Sequence, residues 1–474
     1  MPTPAPLSLS RRHFLGSTCC AAVGATGLLS ALAQLRLLGA VAPAGPARAA
    51  AEPEFKALVC LFLQGGNDGN NLIIPYDTSG YNTYVQARAN LALPRPGLLP
   101  IAPRTSDGRS FALHPAVPEL RTLFDAGRAA LLANVGTLVV PTSKAQYQAA
   151  SVPLPFQLFS HNDQEVQWQT SLPDRRNTSG WGGRLADLVD AFNTNPAVSM
   201  SISLAGINTF QVGSEVTQYA VTPAGAINFQ GGAAPAGTGD AVRFAAHKEL
   251  YNRPQSSLLD AAFSGLTSGS IATAEWVSQA LASSPQPATT FPATSAGSQL
   301  RMVARFIAAA PALRLRRQLF FVQLGGWDTH AGQVEPTNRA AGAHAQLLAQ
   351  TSQAIDAFYR ATVELGVGDR VTTFTASDFG RTYTSNGAGS DHGWGNHQLI
   401  VGGAVRGGDI YGRMPVLTVD GSDDIGRGRW IPTTSVDEYA ATLATWFGVS
   451  AGDLPAVLPN LGRFARANLG FLPA

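Results

Sequence analysis

The chain has 474 residues, 45% hydrophobic and 14% charged, with a formal net charge of +2. That apolar content excludes a disordered polymer and is ample for one large domain or two to three small ones. Abundant Gly (49) and Pro (31) point to compact elements joined by many loops, where catalytic residues tend to sit.

The first fifty residues are a separate object. Ser10-Arg11-Arg12-His13-Phe14-Leu15 precedes an Ala/Gly/Leu-rich stretch ending in Ala47-Arg48-Ala49, a small-x-small cleavage pattern. Paired arginines followed by Phe-Leu resemble a twin-arginine export signal. Residues 1–49 are therefore expected to be a cleaved signal peptide that engages the twin-arginine export machinery and leaves a periplasmic or secreted chain. The plain alternative is a membrane anchor, but Gly16, Gly24, Gly27, Arg36 and Gly39 interrupt the stretch. That segment carries four arginines and no acid, so the remainder has 29 basic and 31 acidic residues. A balance of −2 supports no nucleic-acid footprint. Cys19 and Cys20 leave with the signal, and Cys60 alone cannot form an intramolecular disulfide.

After a short linker, Lys56 to Leu63 is an apolar run of strand length, as expected for a strand covered on both faces. A helix over 118–126 leads to a second buried strand at 129–135, followed by helices at 160–169 and 181–192 and a strand at 198–204. Residues 209–298 show weaker periodicity, with a Gly/Ala/Pro-rich stretch at 223–239 and helices near 241–251 and 258–282. That region is expected to be an insertion or cap, or else peripheral helices of the same domain. Alternation then returns: helix 300–309, strand 318–324, helix 340–365, strand 370–375, strand 396–402. A last helix at 436–447 begins after Thr434-Ser435, with Asp437 and Glu438 in its first turn, where the helix dipole favours them. The repeated strand, helix, strand pattern implies an α/β fold with a mostly parallel sheet and helices on both faces.

Three buried-type strands run into acidic loops: Gly65-Gly66-Asn67-Asp68-Gly69, Gly325-Gly326-Trp327-Asp328-Thr329-His330, and Ala376-Ser377-Asp378-Phe379-Gly380-Arg381. In a parallel sheet the carboxyl ends of the strands share one edge, where ligands bind. Like charges gathered there raise one another's pKa unless a cation compensates, and a metal is the simplest compensation. His330, His392 and His397 fall in short Gly/Trp-rich segments, and imidazole with carboxylate suits zinc, manganese or similar ions better than calcium or magnesium alone. Taken singly, each residue has an ordinary role: Asp68 in a turn, Asp328 as a cap, Asp378 paired with Arg381, His397 as a satisfied histidine. Their co-occurrence at strand ends makes the case for a shared divalent-metal site of Asp68, Asp328, His330, Asp378 and His392.

The twin-arginine start, the segment Phe62 to Gly69, Gly325 to His330, Ser377 to Thr382 and Asp391-His392-Gly393-Trp394-Gly395-Asn396-His397 together resemble the exported domain-of-unknown-function family 1501. The motifs occur in the expected order and span nearly the whole mature chain. The resemblance implies an alkaline-phosphatase-like three-layer α/β sandwich, grouped with sulfatases. It further implies a two-metal site in which Asp328 and His330 supply one ion, Asp378 helps hold the other and His392 completes the set. A hydroxyl nucleophile at a helix start is also implied.

The best-placed hydroxyl is Ser160, before His161-Asn162-Asp163 at a helix N-terminus, where a developing alkoxide or a phosphate is stabilised. Ser160 with Asp163 three residues on equally fits a capping arrangement. In a catalytic site Arg381 would clamp a non-bridging oxygen, and Asn67 and His161 would orient substrate. Asp378-Phe379-Gly380 imitates a kinase magnesium triplet, but no His-Arg-Asp loop accompanies it. The expected activity is exported, metal-dependent hydrolysis of phosphate or sulfate esters, on a small ester or an envelope polymer. The rival is a non-catalytic envelope binding or assembly protein with a structural metal.

Overall fold

The computed structural model describes residues 54–473, apart from 196, 230 and 233; the expected signal peptide lies outside the described residues. Strand β1 (Lys56–Leu63) is buried at seven of its eight positions. Its apolar run is explained by its place at the centre of the sheet, with a parallel neighbour on each side. Those neighbours are Arg317–Leu324 and Val371–Ser377.

The remaining strands are β2 (Ile73–Pro75), β3 (Leu99–Ile101), β4 (Phe111–Leu113), β5 (Ala129–Gly136), β6 (Ser201–Ser203), β7 (Tyr219–Thr222), β8 (Gly225–Ala226), β9 (Arg317–Leu324), β10 (Val371–Ser377), β11 (Asn396–Gly402), β12 (Ile410–Gly412) and β13 (Thr434–Ser435). The large sheet has the order β12-β5-β11-β10-β1-β9-β6-β7-β8, with β13 also on β5, while β2, β4 and β3 form a small separate sheet. Most pairings in the large sheet are parallel; β11 runs against both β10 and β5. The mixed α/β fold expected from the alternation is the fold observed.

Nine helices matter below: α1 (Thr78–Arg88), α2 (Pro118–Asp125), α3 (His161–Thr170), α4 (Trp181–Val189), α5 (Gly239–Asn252), α6 (Leu258–Ser283), α7 (Ser295–Ala308), α8 (Ala343–Glu364) and α9 (Val436–Phe447). Successive strand residues face opposite sides of a sheet, and β9 shows what covers each side. Phe320 meets Phe306 of α7, whereas Phe321 meets Phe210, which in turn packs on Trp181 of α4. Across the strands Phe374, on the Phe321 side, meets Tyr439 of α9, and Tyr439 meets Trp168 of α3. Helices α2, α7 and α8 thus cover one face and α3, α4 and α9 the other. Helix α9 starts at a capping box: the Ser435 hydroxyl accepts the Glu438 N–H and the Glu438 carboxylate accepts the Ser435 N–H, satisfying two orphan donors.

Residues 209–298, expected as an insertion or cap, lengthen the sheet edge through β7 and β8 and then form the α5–α6 hairpin. Among the described residues no helix is long and apolar enough to cross a membrane.

Candidate metal centre

The register brings the three acidic loops together. Leu63 pairs with Leu324 on one side and Ser377 on the other, so β1, β9 and β10 end side by side. Because β11 runs the other way, it starts at that same edge, and residues 378–395 loop over it before entering the strand.

Glycines let the loops touch. Gly65 has φ +116, and a Cβ there would lie 2.5 Å from the Asp328 backbone nitrogen; at Gly66, φ +83, a Cβ would meet the Phe379 ring at 2.7 Å. The Trp327 N–H donates to the Gln64 carbonyl at 3.2 Å, tying the first loop to the second. The Gly65 N–H donates to Asp378 Oδ1 at 3.0 Å, tying it to the third.

At the centre stands Asp328 Oδ1. Three imidazole Nε2 atoms surround it: His330 at 3.1 Å, His161 at 3.4 Å and His392 at 3.4 Å. His330 and His392 bring their Nε2 atoms within 2.9 Å of each other. His161, Asp328 and His392 each offer a ligand atom within 4.8 Å of the others. The far nitrogen of every ring is already engaged. His161 Nδ1 donates to Asp378 Oδ2 at 2.7 Å, His330 Nδ1 to Asp391 Oδ1 at 2.9 Å, and His392 Nδ1 to the Phe159 carbonyl at 2.6 Å.

That pattern fixes the position of one proton on each ring. A carbonyl only accepts, so His392 carries its proton on Nδ1, and carboxylates hold the other two rings in the same tautomer. An Nε2 atom that carries no second proton then points a lone pair at the common space. Two such lone pairs 2.9 Å apart repel unless a proton or cation lies between them. His161 Nε2 is buried without a hydrogen-bond partner. Three nitrogens and a carboxylate oxygen, each imidazole braced from behind, are a donor set for zinc, manganese or a similar ion. The side is open as well, since the Asp328 and His330 side chains are 46% and 43% exposed.

Neighbouring groups hold the set in place. Arg381, with a fully buried side chain, donates through Nη1 to Asp328 Oδ1 at 2.7 Å and through Nη2 to the Ser390 carbonyl. Burial pushes the Asp328 carboxyl up, but Arg381 together with His330 and His161 outweighs it and holds the group below its usual range. The hydrogen bond to Asp378 raises His161, whereas burial lowers His392. Asp391 also accepts from Asn386 at 2.8 Å and Arg427 at 2.6 Å. The Phe379 ring lies 4.6 Å from His161 and 4.7 Å from His392. Phe159 adopts φ 73, a left-handed conformation unusual for a bulky residue. It is held there by Arg429, which stacks on its ring at 4.7 Å while donating to the His392 carbonyl at 2.9 Å.

The expected residues divide accordingly. Asp328, His330 and His392 come together. Asp378 is at the centre as the acceptor behind His161, not as an inward-facing donor, and it pairs with His161 and Gly65 rather than with Arg381. His161, expected to orient substrate, points Nε2 inward as a fourth donor. Arg381 grips Asp328 from within the protein. Ser160 is the N-cap of α3, but its hydroxyl donates to Asp163 Oδ2 at 2.7 Å and caps no backbone N–H.

Asp68 departs from the expected set. It is fully buried and accepts from Arg88 Nη2, Gln333 Nε2 and, at 3.2 Å, the Asn70 N–H. Arg88 is itself held by Asn71 Oδ1 at 3.2 Å and the carbonyls of Thr382 and Tyr383 at 3.0 and 3.1 Å. Burial pushes the Asp68 carboxyl up, and Arg88 brings it back below its ordinary value. The reason is sequence-remote: the cation for this carboxylate comes from the end of α1, a helix whose apolar periodicity is too weak to read. His397 accepts the Asn134 N–H on Nδ1 at 3.1 Å and is buried, in keeping with the satisfied-histidine alternative.

Comparison with known proteins adds the following. The family described as protein of unknown function (DUF1501) matches residues 55–425. No curated protein matches. Among solved structures, the crystal structure of Ps i-CgsB is 10% identical, covering 86% of this chain and 77% of that one at a TM-score of 0.35. The PsFucS1 sulfatase from Pseudoalteromonas sp. is 11% identical, with 85% and 69% covered and a TM-score of 0.33. Phosphonate monoester hydrolase SpPMH from Silicibacter pomeroyi is 9% identical, with 83% and 73% covered and a TM-score of 0.33. Likenesses at these scores assign no chemistry.

Proposed function

We propose, for a chain that belongs to the DUF1501 family, that it is an exported hydrolase of anionic esters using one divalent metal ion held by His161, His330, His392 and Asp328. One observation carries this reading: three imidazoles braced at Nδ1 turn their Nε2 atoms toward a single carboxylate oxygen. When bound, the ion would supply Lewis-acid polarisation of the ester and activation of water.

The residues around it have distinct tasks. Asp378, Asp391 and the Phe159 carbonyl hold the three rings in the tautomer that leaves Nε2 free. Arg381 fixes Asp328. The carboxyls of Asp328, Asp378, Asp391 and Glu165, the last beside Asp378, face the guanidinium groups of Arg381, Arg427 and Arg429, so a divalent ion still leaves the centre with net positive charge. Such a site favours a phosphate or sulfate ester over a neutral one. Water is the attacking species in this reading, because the Ser160 hydroxyl is committed to Asp163. The exposed side of Asp328 and His330 leaves room for it, as catalytic metal sites require. The twin-arginine-like start supports export of the folded chain.

A second reading, an envelope binding protein with a structural ion, is favoured by the tethering of Ser160, the one hydroxyl expected at a helix start beside the centre. Turnover separates the two. Protein reconstituted with zinc or manganese is assayed against aryl phosphate, phosphodiester and sulfate esters. Hydrolysis that falls at least about 100-fold in His392→Ala but persists in Ser160→Ala supports the hydrolase. A metal-loaded protein that turns over none of the three ester classes supports the second reading.

A further inference from the structure

We infer that the outer face of α6 is a two-fold interface between copies of this chain. Helix α6 buries Ser264, Thr267, Ile271, Ala274, Val277, Ala280 and Leu281 against its own domain. An ordinary helix is polar wherever it leaves its domain for solvent. This one is not: Leu258 is 86% exposed, Leu259 80%, Phe263 62% and Leu266 74%. No charged residue occurs between Asp260 and Glu275. Leu259, Ala262 and Phe263 lie on the same rows as Val277, Ala280 and Leu281 five turns on, so the first turns of α6 carry onto the surface an apolar stripe that its last turns bury.

The shape of the face indicates what covers it. At 3.6 residues per turn, Leu259, Phe263 and Leu266 form one projecting row. Beside it runs a shallow row of Leu258, Ala262, Gly265, Gly269 and Ala272. A Cβ built on Gly265 or Gly269 meets nothing within 4 Å, so the trough is open. A ridge lying next to a trough on one helix is self-complementary: about a two-fold axis, the ridge of each copy enters the trough of the other.

Area and charge agree with a second copy as the occupant. Exposed side chains of this size present on the order of 500 Å² per copy, so a pair would remove about 1,000 Å² from water, the threshold for a specific interface. The α5–α6 hairpin carries three basic and four acidic residues, and Lys248 pairs with Glu275 at 2.7 Å. It has no excess positive charge to draw it to anionic lipid. The face is also neutral where two copies would meet, so like charges do not oppose them.

Sedimentation of the purified full chain in the micromolar range tests this directly. A dimer is expected, with the dissociation constant raised about 100-fold by Leu266→Glu and by Leu259→Glu. Both positions are exposed, and an unchanged far-ultraviolet circular dichroism spectrum confirms that the variants fold. A monomer throughout that range overturns the inference, as does a dimer that survives the Leu259→Glu, Leu266→Glu double variant. A monomer that co-sediments with phosphatidylcholine vesicles, and loses them in Leu266→Glu, also overturns it by assigning the face to lipid.

Discussion

Asp68 and Asp328 follow neighbouring parallel strands and begin from the same chemistry, yet their surroundings differ completely. Asp68 lies in a closed compartment where Arg88 is its permanent cation and every side-chain partner comes from the protein. Asp328 lies at an open rim, gripped from behind by Arg381 and faced by three imidazoles, of which His330 and His392 meet Nε2 to Nε2 and His161 keeps its buried Nε2 without a hydrogen-bond partner. The first arrangement is complete as it stands. The second is completed by an external cation: a guanidinium reaches both carboxylates, but only Asp328 is also faced by three imidazole nitrogens.

Breaking the closed compartment should have the largest effect. Arg88→Ala strands a buried carboxylate and is expected to cost about 3–5 kcal/mol in urea denaturation, whereas Arg88→Met with Asp68→Leu should recover most of that loss. If Arg88→Ala unfolds like the unaltered protein, Asp68 is not held as described.

Asp437 sharpens the contrast, because it is a buried carboxyl with neither a guanidinium nor an imidazole in hydrogen-bond contact. Burial pushes it up to about 7. Between about pH 4 and 7 the folded chain keeps this proton while the unfolded chain releases it, so stability falls as pH rises through that window. Below about pH 4 both states are protonated and the contribution is fully present; above about pH 7 it is gone. From the shift, the span is on the order of 4 kcal/mol at most. Asp437→Asn should flatten that part of the stability profile; an unchanged slope would show that another group sets it.

The acceptors behind the rings give the smallest effect. Asp391→Asn, which weakens the hold on His330, is expected to lower ion affinity about 10-fold in a competition titration with a chelator, with little change in metal-free stability. An equal loss of metal-free stability would mean that Asp391 acts only through packing.

The layered fold was legible because the central strands are unbroken apolar runs and the long helices alternate with them. Val436–Phe447 and Asn396–Gly402 are bounded in the structure as the sequence indicates. The meeting of Asp328, His330 and His392 was legible too, since strand ends in a parallel sheet must share an edge. What stayed hidden was the direction of each donor. No spacing rule distinguishes an inward-facing carboxylate such as Asp328 from Asp378, which braces His161 from behind. Arg88 was invisible because α1 buries only Tyr84 and that arginine, leaving no periodic apolar stripe to mark it. The Phe159 carbonyl was beyond reach for a plainer reason: backbone acceptors carry no sequence signature.

Elemental analysis of the purified chain after exposure to zinc and manganese tests the metal centre most directly. One ion per chain is predicted, lost in the Asp328→Ala, His392→Ala double variant while Asp437→Asn retains it. A chain that takes up no ion, or a double variant that holds as much as the unaltered protein, would contradict it.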